Sequence, residues 1–165
     1  AGIVGDTGRF MFNSTSPHTM ECAAQMMTFD IHHDKLNQKM NEITLEQAKL
    51  QGYLFDQLQV NDQQVAYLVV DRATQDRLHV EPQQVHSIVG TPGRLKGVLT
   101  WVIFVQQADD TYRVHIRSKG PIINELAKQH DGGGHPLASG AKAADQAEID
   151  IIIAELSALA AQYTE

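Results

Sequence analysis

Two spacings of apolar residues run through the chain. Stretches over residues 98–106 and 111–118 read as strands, and Ala108-Asp109-Asp110 between them predicts a hairpin. A third strand is predicted over 64–71, around the apolar run Val65 to Val70, and a last one over 137–143. Helical spacing takes over after Asp145, a predicted N-cap for a helix to about residue 163, with Ile149, Ile152, Ile153, Leu156 and Leu159 facing the sheet. Pro121 opens a helix expected to reach His130, where glycines end it. Residues 82–89 read as a further helix and Thr91-Pro92-Gly93 as a turn.

The first third of the chain patterns differently. Residues 3–8 read as a buried strand ending in Asp6 and a tight turn, and groups beyond the carboxyl ends of strands in open α/β sheets face the ligand crevice. Ser16-Pro17 caps a helix to about Asp30, with Met20, Ala23, Ala24 and Met27 at core spacing. A short helix over 34–41 turns Leu36 and Met40 inward. Thr44 and Gln47 stand at capping-box spacing before a helix to about Leu58, with Leu50, Leu54 and Leu58 on one side. This polar, Gln-rich pair reads as a connector. The expected organisation is a first segment over 1–33, a helical connector over 34–60 and an α/β module over 61–165.

Composition narrows the function classes. At 165 residues and 42% hydrophobic the chain can bury a real core, and its apolar runs are too short to span a bilayer. The single Cys22 excludes an internal disulfide and fits a reducing cytoplasm. A net charge of −7 argues against broad binding to long nucleic acid. Residues 113–142 nevertheless carry a local +3, so the remainder carries −10. A cationic patch on an acidic body suits a short anionic ligand better than a duplex.

Candidate chemistry concentrates in residues 115–140. Arg117 and His135 are separated by a short helix and by Gly132, Gly133 and Gly134. Glycines without a Cβ expose backbone N–H groups, and successive turn residues make anion-binding concavities. Arg117 can fork onto two phosphate oxygens, a charge-assisted contact of about 1.5–3 kcal/mol. Ser118 and Asn124 can add neutral hydrogen bonds, and His135 can donate to phosphate.

The run from Arg117 through Asn124, followed by Gly132 to Gly140, closely resembles the DHH-associated domain of the DHH phosphoesterases. The resemblance covers nearly the whole chain and is strongest to the nano-RNase branch, oligoribonucleases that also dephosphorylate adenosine 3′,5′-bisphosphate. It implies an α/β domain with a mixed sheet and flanking helices, preceded by the last strand and helices of a truncated DHH domain. Asp6-Thr7-Gly8 resembles the family's last acidic motif, which implies that Asp6 is a manganese ligand and catalytic, with His135 the second catalytic candidate. Two divalent ions are implied for the whole enzyme, and one carboxylate cannot hold them. Arg117, Ser118, Asn124, Gly132, Gly133, Gly134 and His135 are the implied substrate contacts.

The expected partner is a short single-stranded RNA or a nucleotide, in the cytoplasm and without a membrane; a homodimer is compatible with the pattern. The chain alone is expected to bind weakly and catalyse nothing. Alternatives are a cyclic-dinucleotide phosphodiesterase, a single-strand exonuclease, or a non-catalytic nucleic-acid-binding module. Gly5 and Gly90 depart from the family pattern, where threonine and asparagine are expected. Asp30-Ile31-His32-His33-Asp34 imitates a metal cluster but lies beyond Asp6 with its residues in the wrong order, and reads as a surface connector.

Overall fold

The computed structural model describes residues 2–12 and 15–164, which divide into two compact units, residues 1–43 and 44–165. The smaller unit is helical among its described residues: α1 (Gly2–Asp6), α2 (Pro17–Met26) and α3 (His33–Asn41). Ser16 caps α2 through Thr19 as the sequence predicts.

Two expectations fail in the smaller unit. Residues 3–8 do not form a strand. A strand needs a neighbour for its backbone groups, and no other strand of this unit is present among the described residues. Local bonds serve instead, such as Thr7 N to Ile3 O at 3.1 Å. The apolar side of α2 is not core either: Met20 is 51% exposed, Met27 at its C-cap is 56% exposed, and no residue of that helix is buried.

In the larger unit, a six-stranded mixed sheet runs in the order β1-β2-β3-β4-β6-β5. The strands are β1 (Gln59–Val60), β2 (Val65–Val70), β3 (Thr100–Gln106), β4 (Tyr112–Ser118), β5 (Gly133–His135) and β6 (Ala138–Ala143). Among the described residues only β2 and β3 pair in parallel. Their connection carries α5 (Arg72–Leu78), absent from the sequence reading, and two 3₁₀ segments, Pro82–Ile88 and Thr91–Arg94. The helix expected over 82–89 takes the tighter 3₁₀ form over Pro82–Ile88.

Each face of the sheet has its own cover. On one side, α6 (Asn124–Gln129) and α7 (Gln146–Ala161) close a core of Val102, Phe104, Val114, Ile116, Ile123, Ile149, Ile152 and Leu156. Helix α6 starts three residues later than Pro121, and the N–H of its N-cap Ile123 donates to Pro136 O at 2.8 Å. On the other side, α4 (Leu45–Gln57) and the 3₁₀ segment pack over β2 and β3, burying Leu50, Leu54, Val85 and Ile88 against Leu68, Val70, Ile103 and Val105.

Thr44 and Gln47 form the expected box at the start of α4. This helix is not a connector: Leu50 and Leu54 are 1% and 0% exposed, and it belongs to the larger unit's core. The apolar residues of this cover stop at β3; beyond them the 3₁₀ segment reaches β4 where His86 meets His115, and β4, β6 and β5 otherwise keep one face outside that core. No helix among the described residues is long and apolar enough to cross a membrane.

Candidate functional site

Register fixes which side chains share the uncovered face. Residues opposite one another in antiparallel strands project to the same side, and residues two apart on one strand do likewise. Arg117 pairs with Ala138, and Ala138 pairs in turn with His135. One step along, His115 pairs with Gly140 and Gly140 with Gly133. One step further, Arg113 pairs with Lys142. Three parallel rows result: arginine–alanine–histidine, histidine–glycine–glycine and arginine–lysine.

Small residues leave the middle of this face low. A Cβ placed on Gly133 would meet no atom within 4 Å, and one on Gly140 only Val114 O at 3.5 Å. The other two glycines have a different reason. A Cβ on Gly132 would lie 2.0 Å from Gly140 O, and one on Gly134, at φ +142°, 2.7 Å from Ala138 O. They let the chain cross closely over β6.

The glycine run is not the naked turn that composition suggests. It enters β5, an edge strand whose backbone groups pair with β6, so successive N–H groups do not converge as they do in a turn. What glycine supplies is close packing at 132 and 134 and an unobstructed surface at 133.

Arg117 is half-buried. Its Nη1 donates to Ile116 O at 2.8 Å and to Ser139 O at 3.1 Å, which curls the guanidinium over β6. Burial lowers its pKa from the ordinary arginine value. His135 is exposed on the same row. His115, half-buried, has its pKa lowered to about 4, first by burial and then by the charges of His86, Arg117 and Arg113. Its ring meets that of His86 edge to face, 5.6 Å between centroids.

Of the two neutral contacts expected, the strand turns one away and leaves the other with an open acceptor. Ser118 points to the opposite side of β4 from Arg117, is 8% exposed, and its Oγ accepts from Gly120 N at 3.0 Å. Asn124 begins α6; its Oδ1 is buried without a partner among the described residues, and its Nδ2 lies 3.5 Å from Glu125 Oε1.

Asp6 is exposed at the end of α1 in the smaller unit. No group of three His, Cys, Asp or Glu side chains is gathered for a metal ion among the described residues, so those present do not make a divalent-metal centre. The Asp30–Asp34 segment is exposed throughout, with His32 Nδ1 3.4 Å from Asp30 Oδ1.

Sequence reading passes over His115, Arg113, Lys142 and His86. Strict alternation along Arg113-Val114-His115-Ile116-Arg117 carries the signal for the first two, since apolar residues at 114 and 116 force 113, 115 and 117 together onto the other face. Lys142 and His86 depend on pairings distant in sequence. A cleft of about 850 Å³ adjoins the Arg113 end, lined among others by Arg113, His115, Asp131, Gly140, Lys142 and Glu148.

His130 holds the support behind the hairpin. Its Nδ1 lies 2.9 Å from Glu148 Oε1 and its Nε2 2.8 Å from Glu155 Oε2, both carboxylates on α7. Its backbone O accepts from Lys142 N at 2.9 Å. Burial alone would lower the imidazole's pKa; the two carboxylate bonds and charges outweigh burial and raise it above the ordinary 6.5. With a carboxylate at each nitrogen, both nitrogens donate and the ring is an imidazolium.

Comparison with known proteins adds the following. The family described as the DHHA1 domain matches residues 62–162. A protein of Streptococcus mutans named a probable bifunctional oligoribonuclease and PAP phosphatase NrnA is 40% identical over 159 residues, 96% of this chain and 51% of that protein. The Bacillus subtilis protein named bifunctional oligoribonuclease and PAP phosphatase NrnA is 37% identical over 163 residues, 99% and 52% of the two chains. The chain thus spans about half the length of these curated relatives. Among solved structures, an exopolyphosphatase-related protein from Bacteroides fragilis superposes with a TM-score of 0.85 at 21% identity, over 96% of this chain and 49% of that one.

Proposed function

The chain belongs to the DHHA1 domain family, and from that membership we propose that its larger unit grips the phosphate of a short RNA oligonucleotide or of adenosine 3′,5′-bisphosphate. One observation carries the reading: Arg117 and His135 flank Ala138 on a single row of the uncovered face. An arginine and a histidine flanking an alanine leave room for a phosphate between them. Arg117 keeps Nε and Nη2 for phosphate oxygens, since its two protein hydrogen bonds both start from Nη1. The Arg113–Lys142 row, two steps away, would take a second phosphate of a bisphosphate or dinucleotide.

In the whole protein this unit would present the ligand for phosphoester hydrolysis, the activity in the names of the Streptococcus and Bacillus relatives. Manganese would supply the activated water there. Asp6 would be one ligand among others that the described residues do not gather. His135 would donate a hydrogen bond to the phosphate. Asn124, with its orphaned Oδ1, is retained as a hydrogen-bonding contact at the start of α6.

Calorimetric titration of the chain with adenosine 5′-monophosphate and with a 5′-phosphorylated diribonucleotide tests the assignment. Arg117→Ala should weaken both by about tenfold or more, equivalent to ~1.4 kcal/mol. Unchanged affinity would remove Arg117 from the site. With manganese added, the chain alone should not turn over a labelled dinucleotide; robust hydrolysis would refute the division of labour.

A further inference from the structure

We propose that His115, braced edge-on by His86, forms one wall of a slot that takes the nucleobase of the nucleotide whose phosphate Arg117 holds. The inference rests on the phosphate reading above and goes beyond it by assigning the site its selectivity for nucleotides over other phosphate esters.

The glycine row makes the slot. Across the sheet from His115 the next two partners are Gly140 and Gly133, neither of which raises a side chain beside the ring. At strand spacing the gap is about 9.6 Å wide, enough for a planar heterocycle. The neighbouring rows bound it with Arg117 and His135 on one side and Arg113 and Lys142 on the other.

His115 lies two residues from Arg117 on β4, about 6.8 Å along the strand. A ribose bridges that step, with its phosphate on the Arg117 row and its base on the glycine row.

The rings are poised for contact rather than for holding the fold. His86 meets His115 at an interplanar angle of 63°, so the edge of one faces the other and the pair keeps its relative orientation. Burial, followed by the charges of His86, Arg117 and Arg113, keeps His115 neutral at neutral pH, so the ring can stack without adding a further cation to Arg113, Arg117 and Lys142.

The test compares ligands with and without a base on the same chain. Adenosine 5′-monophosphate and ribose 5-phosphate are titrated into the unaltered protein, His115→Ala, His115→Phe and Arg117→Ala, each checked for fold by circular dichroism. His115→Ala should weaken the adenosine ligand about five- to tenfold or more, the range for losing one stacked base, and leave ribose 5-phosphate within twofold. His115→Phe, which keeps a flat ring, should retain most of the adenosine affinity. In the unaltered protein, the adenine H2 and H8 resonances of the ligand should move upfield on binding.

Equal effects of His115→Ala on both ligands, or absent upfield shifts, would overturn the slot. Arg117→Ala should weaken both ligands. If it changes neither, the phosphate reading fails on its own account, whatever His115 does.

Discussion

Arg117 and His135 are 18 positions apart in sequence, yet each is the register partner of Ala138. The gap between them is the alanine methyl. Ala138→Leu should fill it, weakening nucleotide binding about tenfold while the half-buried position keeps the fold. A titration calorimeter and a melting curve check the two parts. Unaltered affinity would mean that phosphate does not sit between these side chains.

Gly132 has a packing role that binding studies alone would miss. A methyl at this position meets backbone 2.0 Å away at Gly140 O and 2.6 Å away at Ala141 Cα, and backbone cannot rotate aside. Gly132→Ala should lower stability by about 1–3 kcal/mol, as overpacked sites do, read from the urea midpoint. An unchanged midpoint would contradict the close crossing over β6.

Helix α4 offers a direct check on the extent of the folded unit. Leu54 is 0% exposed, so Leu54→Ala should cost about 2–5 kcal/mol. Leu45, 66% exposed on the same helix, should tolerate alanine with little change. Equal effects would place α4 outside the core.

The His130 cluster gives stability a pH dependence of known sign. Folding raises the His130 pKa above 6.5, so its contribution is complete below 6.5 and fades as pH rises through the folded value. Glu148 shifts the other way. Its pKa is lowered from 4.5, chiefly by the His130 hydrogen bond, so its contribution holds above 4.5 and fades as pH falls through the folded value. The cluster therefore stabilises most between these limits. Relative to His130→Gln, the melting temperature of the unaltered chain should drop as pH rises from about 6 to 9; parallel curves would remove the imidazolium.

Much of the larger unit is legible in the sequence because its signals are local. The capping residues Thr44, Gln47 and Asp145, the hairpin at Ala108–Asp110 and the apolar spacing of α7 depend on near neighbours. Residues 3–8 mislead because a short apolar run suits a buried strand and a helix equally; only the presence of a partner strand decides. The glycines mislead for a related reason. A three-residue edge strand of Gly133, Gly134 and His135 has no β-branched or aromatic residue to announce it, and its pairing with β6 does so instead.

In the site, composition and resemblance single out Arg117 and His135, and pairing explains how they meet. Ser118, adjacent to Arg117 in sequence, illustrates the limit. A strand turns consecutive side chains to opposite faces, so neighbours in a motif need not be neighbours at a ligand.

The most direct test of the central claim is a backbone-amide NMR titration of the chain with a 5′-phosphorylated diribonucleotide. The row of Arg117, Ala138 and His135 predicts saturable shifts concentrated in residues 113–118 and 133–142, and their loss in Arg117→Ala. Shifts clustered on α6 and α7 instead, or none at millimolar ligand, would contradict it.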